Sequence, residues 1–290
     1  AELPIAGRSK TGDVVDSAPD HKTGEFKGKK APDVFGDLAK EFGVSVESDV
    51  QHAAREMFRL RSGESVFRSA ERWARAEGFS ISDTPEGNLK FIREPKKRHA
   101  GQIADGLNPW PKLIDASAVH DDSKRFSEVK VKAQAPDGYT PDALEIEDKA
   151  SDEGIARLRR RVIVPPETVK KTDARTRAKW HRDRAAGRGL TCEVTVTGWR
   201  DAAGTLWTPG WLVAVAIADL GVMQDMMIES VSLSQDDSAT KASLSLVDPR
   251  AYGGKSGKGG KSGKAWNMGK AGANDAWILW RGNGHAGADR

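Results

Sequence analysis

The stretch that decides the fold runs from Leu190 to Val247 and reads LTCEVTVTGWRDAAGTLWTPGWLVAVAIADLGVMQDMMIESVSLSQDDSATKASLSLV. Its first part alternates apolar Cys192, Val194 and Val196 with polar residues, which is the period of a half-buried β-strand. Turn-forming runs rich in Asp, Gly and Ser separate three further apolar segments. Several short strands at this close spacing predict an antiparallel barrel or sandwich.

Shorter helical and strand signals precede this β-rich region. A helix is expected from Pro32 to just before Gly43, and a second helix over residues 65–77. Residues 79–92 alternate around a Pro-Glu-Gly-Asn turn and predict a hairpin. Val14 and Val15 favour a short strand. The two helices and the hairpin predict a small α/β domain.

The middle of the chain mixes basic, acidic and strand-like segments. Residues 95–111, rich in Lys, Arg, Pro and Gly, are expected to form a linker, and residues 136–151 an exposed acidic loop. Strands are predicted over 125–133 and 157–164, and a third helix over 172–186.

The composition is that of a soluble protein with many exposed ion pairs. The 290 residues include 46 Lys and Arg against 42 Asp and Glu, a net charge of +4. The single cysteine, Cys192, excludes an intrachain disulfide and a multi-cysteine zinc site, and its alternating context predicts a core position. No stretch approaches the ~20 apolar residues that a membrane helix needs, and the first residues lack a signal-peptide pattern.

Catalytic and metal-binding motifs are weak throughout. His120, Asp121 and Asp122 are adjacent in a predicted loop, where side chains converge poorly on one ion. Glu145 and Glu147 are a carboxylate pair in the acidic run, where solvent exposure is the simpler interpretation. The Gly-Gly-Lys-Ser-Gly-Lys repeat near the end lacks the spacing of a phosphate-binding loop. We therefore expect no enzyme activity, no cofactor and no metal.

Tryptophans mark candidate subunit contacts. Trp199, Trp207 and Trp211 lie around one predicted hairpin, and three such rings are hard to bury in one small barrel. We expect one or two in the core and at least one at a subunit interface. Trp277 and Trp280 belong to a tail that either docks on its own domain or anchors a neighbour.

A basic run forms the other candidate surface. It contains Arg157, Arg159, Arg160 and Arg161. Ion pairing with the acidic loop is the favoured interpretation, and binding of nucleic-acid phosphates is the alternative. Aromatic residues are not interleaved with the run, which disfavours a single-strand binding surface.

The order of these segments resembles one known family, the tail protein P type of baseplate hub protein from Mu-like contractile phages. The collinear matching stretches are AGRSKTGDVVDSA (6–18), GEFKG (24–28), FGV (42–44), SVF to AEG (65–78), GNLKF (87–91), RFSEVKV (125–131), RA (177–178), GWR (198–200), GTLWTPG (204–210) and LSLVDPRAY (244–252). They span most of the chain, although none is diagnostic alone.

The resemblance implies an α+β, mainly β fold with two tail-tube-like antiparallel β-barrel domains and small α/β insertions. It implies a homotrimer whose six barrels form a pseudo-hexameric ring. That ring would join the tail tube protein to the central spike protein, contact other baseplate proteins and line the path of DNA ejection, without a cofactor. The expected location is the virion, after synthesis in the bacterial host cytoplasm.

The resemblance also shapes the expected domain division. Residues 1–30 are assigned to the remainder of the first β-barrel, 31–112 to the small α/β domain and 113–252 to the second β-barrel with helix 172–186. A flexible Gly/Lys/Ser linker, 253–265, and a Trp-rich tail, 266–290, follow. Family members begin with a further β segment, so a separate chain, processing or absence accounts for the rest of the first barrel.

Two other functions remain open. The first is a nucleic-acid-binding β-barrel module that uses the arginine run, with DNA as more than transported cargo. The second is a peptidoglycan hydrolase of the tail tip.

Overall fold

A computed structural model describes residues 7–106, 110–134, 146–165 and 171–254, and no side-chain surroundings are given for 171 and 172. The predicted linker after residue 254 and the Trp-rich tail therefore lie outside the described residues. The fold is mainly β with a smaller helical part, and its largest sheet curls as a half-barrel. The predicted fold class is confirmed.

The first part of the chain is an α/β region. Its helices are α1 (Thr11–Asp16), α2 (Ala31–Ala39) and α3 (Val66–Glu77), and its strands are β1 (Glu25–Lys29), β2 (Val46–Ser48), β3 (Arg55–Arg59), β4 (Ser80–Asp83) and β5 (Leu89–Ile92). β1 pairs with β3, and the second sheet has the order β2-β5-β4. The two predicted helices and the hairpin are confirmed.

Capping residues and an apolar stripe account for the start, the end and the buried face of α3. The Ser65 hydroxyl accepts the Arg68 N–H at 3.3 Å and caps the first turn. Gly78 ends the helix in the left-handed conformation, with φ at 73°. Val66, Ala70 and Trp73 face inward, so one stripe of α3 enters the core.

The strand expected at Val14 and Val15 is wrong, because both residues belong to α1. Val14 is fully buried in the aromatic core, and this packing overrides the β propensity of the pair.

Another three-stranded sheet has the order β10-β8-β9, formed by β8 (Glu128–Ala133), β9 (Ile146–Ser151) and β10 (Arg160–Ile163). Helix α4 (Lys171–Arg188) supplies Ala174 and Ala178 to its small core. The strand predicted over 157–164 is confirmed in β10. The acidic-loop prediction is wrong for β9, while residues 135–145 lie outside the described part.

The largest sheet has six strands in the order β6-β12-β13-β14-β11-β7. They are β6 (Arg98–Ala104), β7 (Leu113–His120), β11 (Leu190–Thr197), β12 (Leu212–Ile217), β13 (Val222–Gln235) and β14 (Thr240–Val247). β6 lies within the segment predicted as a linker, which is a correction. β6 also pairs with β12 in parallel, so the sheet is not purely antiparallel.

Contacts group the described residues into two compact units, 7–93 with 126–183 and 94–125 with 184–254. This grouping is discontinuous in sequence, unlike the consecutive segments expected above. Within the described residues no helix is long and apolar enough to cross a membrane.

Candidate functional site

The six-stranded sheet has two chemically different faces. One face buries aliphatic side chains such as Val194, Leu244 and Ile228. The opposite face carries hydroxyl side chains in cross-strand rows, because residues directly opposite in an antiparallel pair share a face. The rows are Ser117, Glu193, Ser245 and Ser230, then Asp115, Thr195, Ser243 and Ser232, then Thr197, Lys241 and Ser234.

Hydrogen bonds link members of these rows. The Thr195 and Ser243 hydroxyls lie 3.1 Å apart, and the Ser245 hydroxyl donates to Glu193 Oε1 at 2.6 Å. The charged members of the rows are Asp115, Glu193 and Lys241. This hydroxyl face is therefore polar, and its charge is small and slightly negative.

Both edges of the sheet are open. Among the described strands, β6 pairs with β12 alone and β7 pairs with β11 alone. β7 is eight residues long and exposes Ile114 and Val119 to solvent. An open edge with apolar side chains is a template for pairing with another chain.

The three tryptophans of the predicted interface occupy different environments. Trp207 is buried in the sheet core, and its ring lies 4.8 Å from that of His99. Trp207 is therefore a core residue of its own chain. This outcome could not be read from the sequence, where all three rings flank the same hairpin.

Trp199 and Trp211 are only partly buried. The Trp199 indole N–H donates to the Ser234 carbonyl at 3.1 Å, beside the hydroxyl face. The Trp211 ring lies 4.8 Å from His99, with the Lys97 ammonium 5.0 Å from its centre. A subunit contact for these two stays a prediction, and Trp277 and Trp280 lie outside the described residues.

The buried carboxylate of Asp201 stabilises the hairpin around Trp199, Trp207 and Trp211. Asp201 accepts backbone N–H groups from Ala100, Ala203 and Thr205, and lies 2.9 Å from His99 Nδ1. The Thr208 N–H donates to His99 Nε2 at 3.2 Å, so the ring is a bridge between Asp201 and the hairpin backbone. Burial alone raises the Asp201 pKa, but the hydrogen bonds outweigh it and leave the pKa below its usual value.

The predicted basic surface lies on and beside β10. Arg157 is exposed, and Arg160 pairs with Glu128 of β8. The Arg159 and Arg161 guanidinium groups lie 4.7 and 5.5 Å from the ring of Phe126. Part of the run is thus engaged within its own sheet, while ion pairing with the acidic loop stays a prediction because residues 135–145 of that loop lie outside the described residues.

The candidate acid–base and metal groups have structural partners. Glu147 pairs with Lys130 and Lys132, and hydrogen bonding from Lys130 lowers the pKa of its carboxyl. A carboxyl that acts as a general acid has a raised pKa instead. Glu145 lies outside the described residues. His120 Nε2 lies 3.0 Å from the Leu220 carbonyl, and Asp121 accepts the Ser123 N–H. Within the described ranges, no group of three or more His, Cys, Asp or Glu residues could hold a metal ion.

One cluster that the sequence did not indicate has the order of a hydrolase relay. Ser48 Oγ lies 2.7 Å from His52 Nε2, and His52 Nδ1 lies 3.0 Å from Glu77 Oε2. However, Glu77 also accepts the indole N–H of the core residue Trp73. Acyl transfer needs N–H donors aimed at a developing oxyanion, whereas the Val50 N–H is aimed at Ser48 Oγ itself. The cluster fastens the loop after β2 to α3.

Comparisons with known families and proteins all find similarity to phage baseplate proteins. Residues 11–93 match the family model of the second domain of gp44-like baseplate hub proteins. Residues 170–254 match the model of the fourth domain of the Mu phage baseplate assembly protein GpP. The baseplate hub protein gp44 of Escherichia phage Mu is 28% identical over 258 residues, covering 84% of this chain and 67% of that protein.

Solved structures agree in fold. The 43 kDa tail protein of prophage MuSo2 from Shewanella oneidensis superposes with a TM-score of 0.73 at 29% identity, covering 84% of this chain and 72% of that one. A tail protein from Neisseria meningitidis MC58 gives a TM-score of 0.69 at 18% identity, covering 84% and 74% of the two chains. The second likeness concerns the fold alone.

Proposed function

Because the chain belongs to the baseplate hub protein family of Mu-like phage tails, we propose that it acts as a trimeric structural hub in the virion. Three copies, each with two sheet-bearing parts, form a pseudo-hexameric ring. Six similar positions match a six-fold tail tube on one side, and three copies match a three-fold central spike on the other. Closed rotational symmetry buries the same patch on every copy.

The observation that carries this proposal is the open six-stranded sheet. Within the part of the chain that the structure describes, this sheet has one completed core face and two unpaired edges, which present rows of backbone N–H and C=O groups. Neighbouring subunits satisfy those groups in a ring, and the half-buried Trp199 and Trp211 offer aromatic area for the same contacts.

The hydroxyl face suits the lining of a channel for DNA ejection. Cationic side chains bind DNA phosphates through counterion release, and such contacts would hold the passing genome back. The rows on this face instead present mainly serine and threonine, with Asp115 and Glu193 against one lysine, Lys241. A weakly acidic, hydrated wall lets the polyanion pass.

We further propose that the protein is not an enzyme. Ser48, His52 and Glu77 hold the α/β region together, and Glu147 is stabilised as a carboxylate by lysines. We expect no labelling of Ser48 by a fluorophosphonate probe and no clearing of peptidoglycan in a zymogram. Covalent labelling that is lost in Ser48→Ala, or a cleared band, would establish a hydrolase instead.

The ring itself is tested by electron microscopy of the purified full chain and of phage particles. Class averages should show a six-lobed ring with a central hole, and in particles an antibody to this chain should mark the junction of tube and spike. The proposal fails if the chain lies elsewhere in the particle. A salt-sensitive shift of free DNA by an unassembled chain would favour the nucleic-acid-binding alternative.

A further inference from the structure

Among the described strands, β7 and β10 each pair on one side alone, and we propose that these two edges complete each other between copies. In this arrangement β7 of one subunit pairs with β10 of the next. The inference rests on the proposed ring and adds the surfaces that close it.

The open side of β7 follows from its hydrogen bonds. The Asp121 N–H donates to the Gly189 carbonyl at 2.8 Å, which continues the ladder between β7 and β11. Backbone groups alternate between the two sides of a strand. The N–H and C=O groups of Ala116 and Ala118 therefore point away from β11, toward the open edge.

The open side of β10 is identified in the same way. The Arg159 N–H donates to Ser127 Oγ at 2.8 Å, and its carbonyl accepts the Glu128 N–H at 3.3 Å. Both backbone groups of Arg159 thus face β8, the strand with which β10 pairs. The same alternation leaves the backbone groups of Arg160 and Val162 on the open side.

Apolar side chains accompany both open edges. Val119 of β7 is 60% exposed, Val162 of β10 is 49% exposed, and Val164, which follows β10, is 72% exposed. Exposed β-branched side chains beside an unpaired strand edge favour pairing with another chain.

Charge favours pairing of β7 with β10 over pairing of two β7 strands or of two β10 strands from different copies. Asp115 lies on β7 and Asp121 directly follows it, whereas Arg157 precedes β10 and Arg161 lies within it. Pairing two β7 edges would oppose carboxylates, and pairing two β10 edges would oppose guanidinium groups, both of which are unfavourable. A β7–β10 contact is heterologous, and such contacts generate rings when the rotation closes.

This pairing gives the arginine run a role at a protein contact. Of its four members, Arg160 is already paired with Glu128 of its own sheet. The exposed Arg157 and the edge residue Arg161 then meet the acidic side of the neighbouring β7.

Cysteine cross-linking tests the pairing directly. The native Cys192 is buried, so it contributes little background. The double variant Ser117→Cys with Val162→Cys, treated with a short bismaleimide, should give covalent dimers and trimers on a denaturing gel. The matched control places the second cysteine on β1, as Ser117→Cys with Lys27→Cys, and should remain monomeric on the gel.

Charge reversal gives a second readout. Arg157→Glu with Arg161→Glu should raise the concentration needed for assembly by roughly two- to thirty-fold, the range for two exposed ion pairs. Adding Asp115→Lys restores one of the two proposed ion pairs and should therefore recover part of that loss. Lys22→Glu with Lys27→Glu changes the net charge equally at exposed sites outside β7 and β10 and should leave assembly unchanged.

The outcomes separate this inference from the proposed function. A trimer whose Ser117→Cys and Val162→Cys sites never cross-link overturns the β7–β10 pairing and leaves the ring standing. A folded chain that stays monomeric overturns both. Arginine variants that assemble normally but lose DNA binding overturn the pairing and assign the run to nucleic acid.

Discussion

The α/β region and the six-stranded sheet complete their cores in different ways. In the α/β region, strands of three to five residues and the helices enclose the rings of Phe35, Phe58, Trp73 and Phe91, which pack against one another. The sheet uses strands of up to 14 residues, buries aliphatic side chains on one face and, among the described strands, leaves both of its long edges unpaired. The first core is enclosed between helices and short strands, while the second lies on one face of a single large sheet.

The largest expected effect comes from breaking the aromatic core. Trp73→Ala removes a fully buried ring that lies 4.6 Å from Phe58 and donates to Glu77. We expect a loss of about 3–5 kcal/mol of unfolding free energy, measured by urea denaturation followed by circular dichroism. The control Trp199→Ala truncates a partly exposed ring of the sheet, and an equal loss in both variants would contradict the contrast between the two regions.

A smaller loss of unfolding free energy is expected from loosening the hairpin around Trp199, Trp207 and Trp211. Asp201→Ala removes the acceptor of three backbone N–H groups and leaves His99 without its carboxylate. Buried donors without a partner destabilise a fold by ~1–3 kcal/mol, which the same urea titration measures.

Asp236 offers the matched control for this variant. It accepts the Ser238 and Ala239 N–H groups in a similar turn, but it is exposed. Asp236→Ala should lower the unfolding free energy by less than Asp201→Ala does. An equal or larger cost would mean that burial does not set the strength of these turn carboxylates.

Acid should weaken the same hairpin. The Asp201 pKa is lower in the folded protein than the ~3.9 of an unfolded chain, so its contribution to stability is complete above that value. The contribution is lost as the pH falls through the lower, folded pKa. The difference in urea midpoint between the wild type and Asp201→Asn should therefore stay constant from about pH 7 to 5 and shrink below about pH 4.

A different pH profile would revise this account of the hairpin. If the difference already shrinks between about pH 7 and 5, a group other than the Asp201 carboxyl sets the pH dependence of the hairpin.

The smallest expected effect concerns the one thiol. Burial raises the pKa of Cys192 to about 11, with a smaller contribution from the Glu193 charge, so the thiol stays protonated near neutral pH. We expect negligible maleimide labelling of the native protein and full labelling in urea, whereas an introduced Ser117→Cys on the hydroxyl face should react at once. Fast native labelling of Cys192 would mean that the sheet opens readily.

The sequence predicted the elements with strong periodicity and clear caps. Helix α3 begins after Ser65 and ends at Gly78 as its capping residues indicate, and β11 and β14 follow their alternating patterns. The Arg, His and Gly residues of β6 show no apolar alternation, so the sequence of this strand predicts a linker instead. Strand β9 was hidden because Ile146 and Ala150 are its only buried side chains among charged residues.

The candidate site was less accessible to sequence reasoning because its partners are distant in the chain. His99 and Asp201 are 102 positions apart, and nothing local to either indicates the other. For the same reason the sequence does not show which of the three hairpin tryptophans is buried, since the burial of Trp207 depends on β6 lying beside β12. The open edges, likewise, are visible only once the strand order is known.

Light scattering of the purified full chain after size-exclusion chromatography tests the central claim most directly. The account predicts one species of about three times the 31.4 kDa of a single chain. A folded species that keeps the mass of one chain at every concentration would contradict it, because the open edges of the sheet would then need no neighbour.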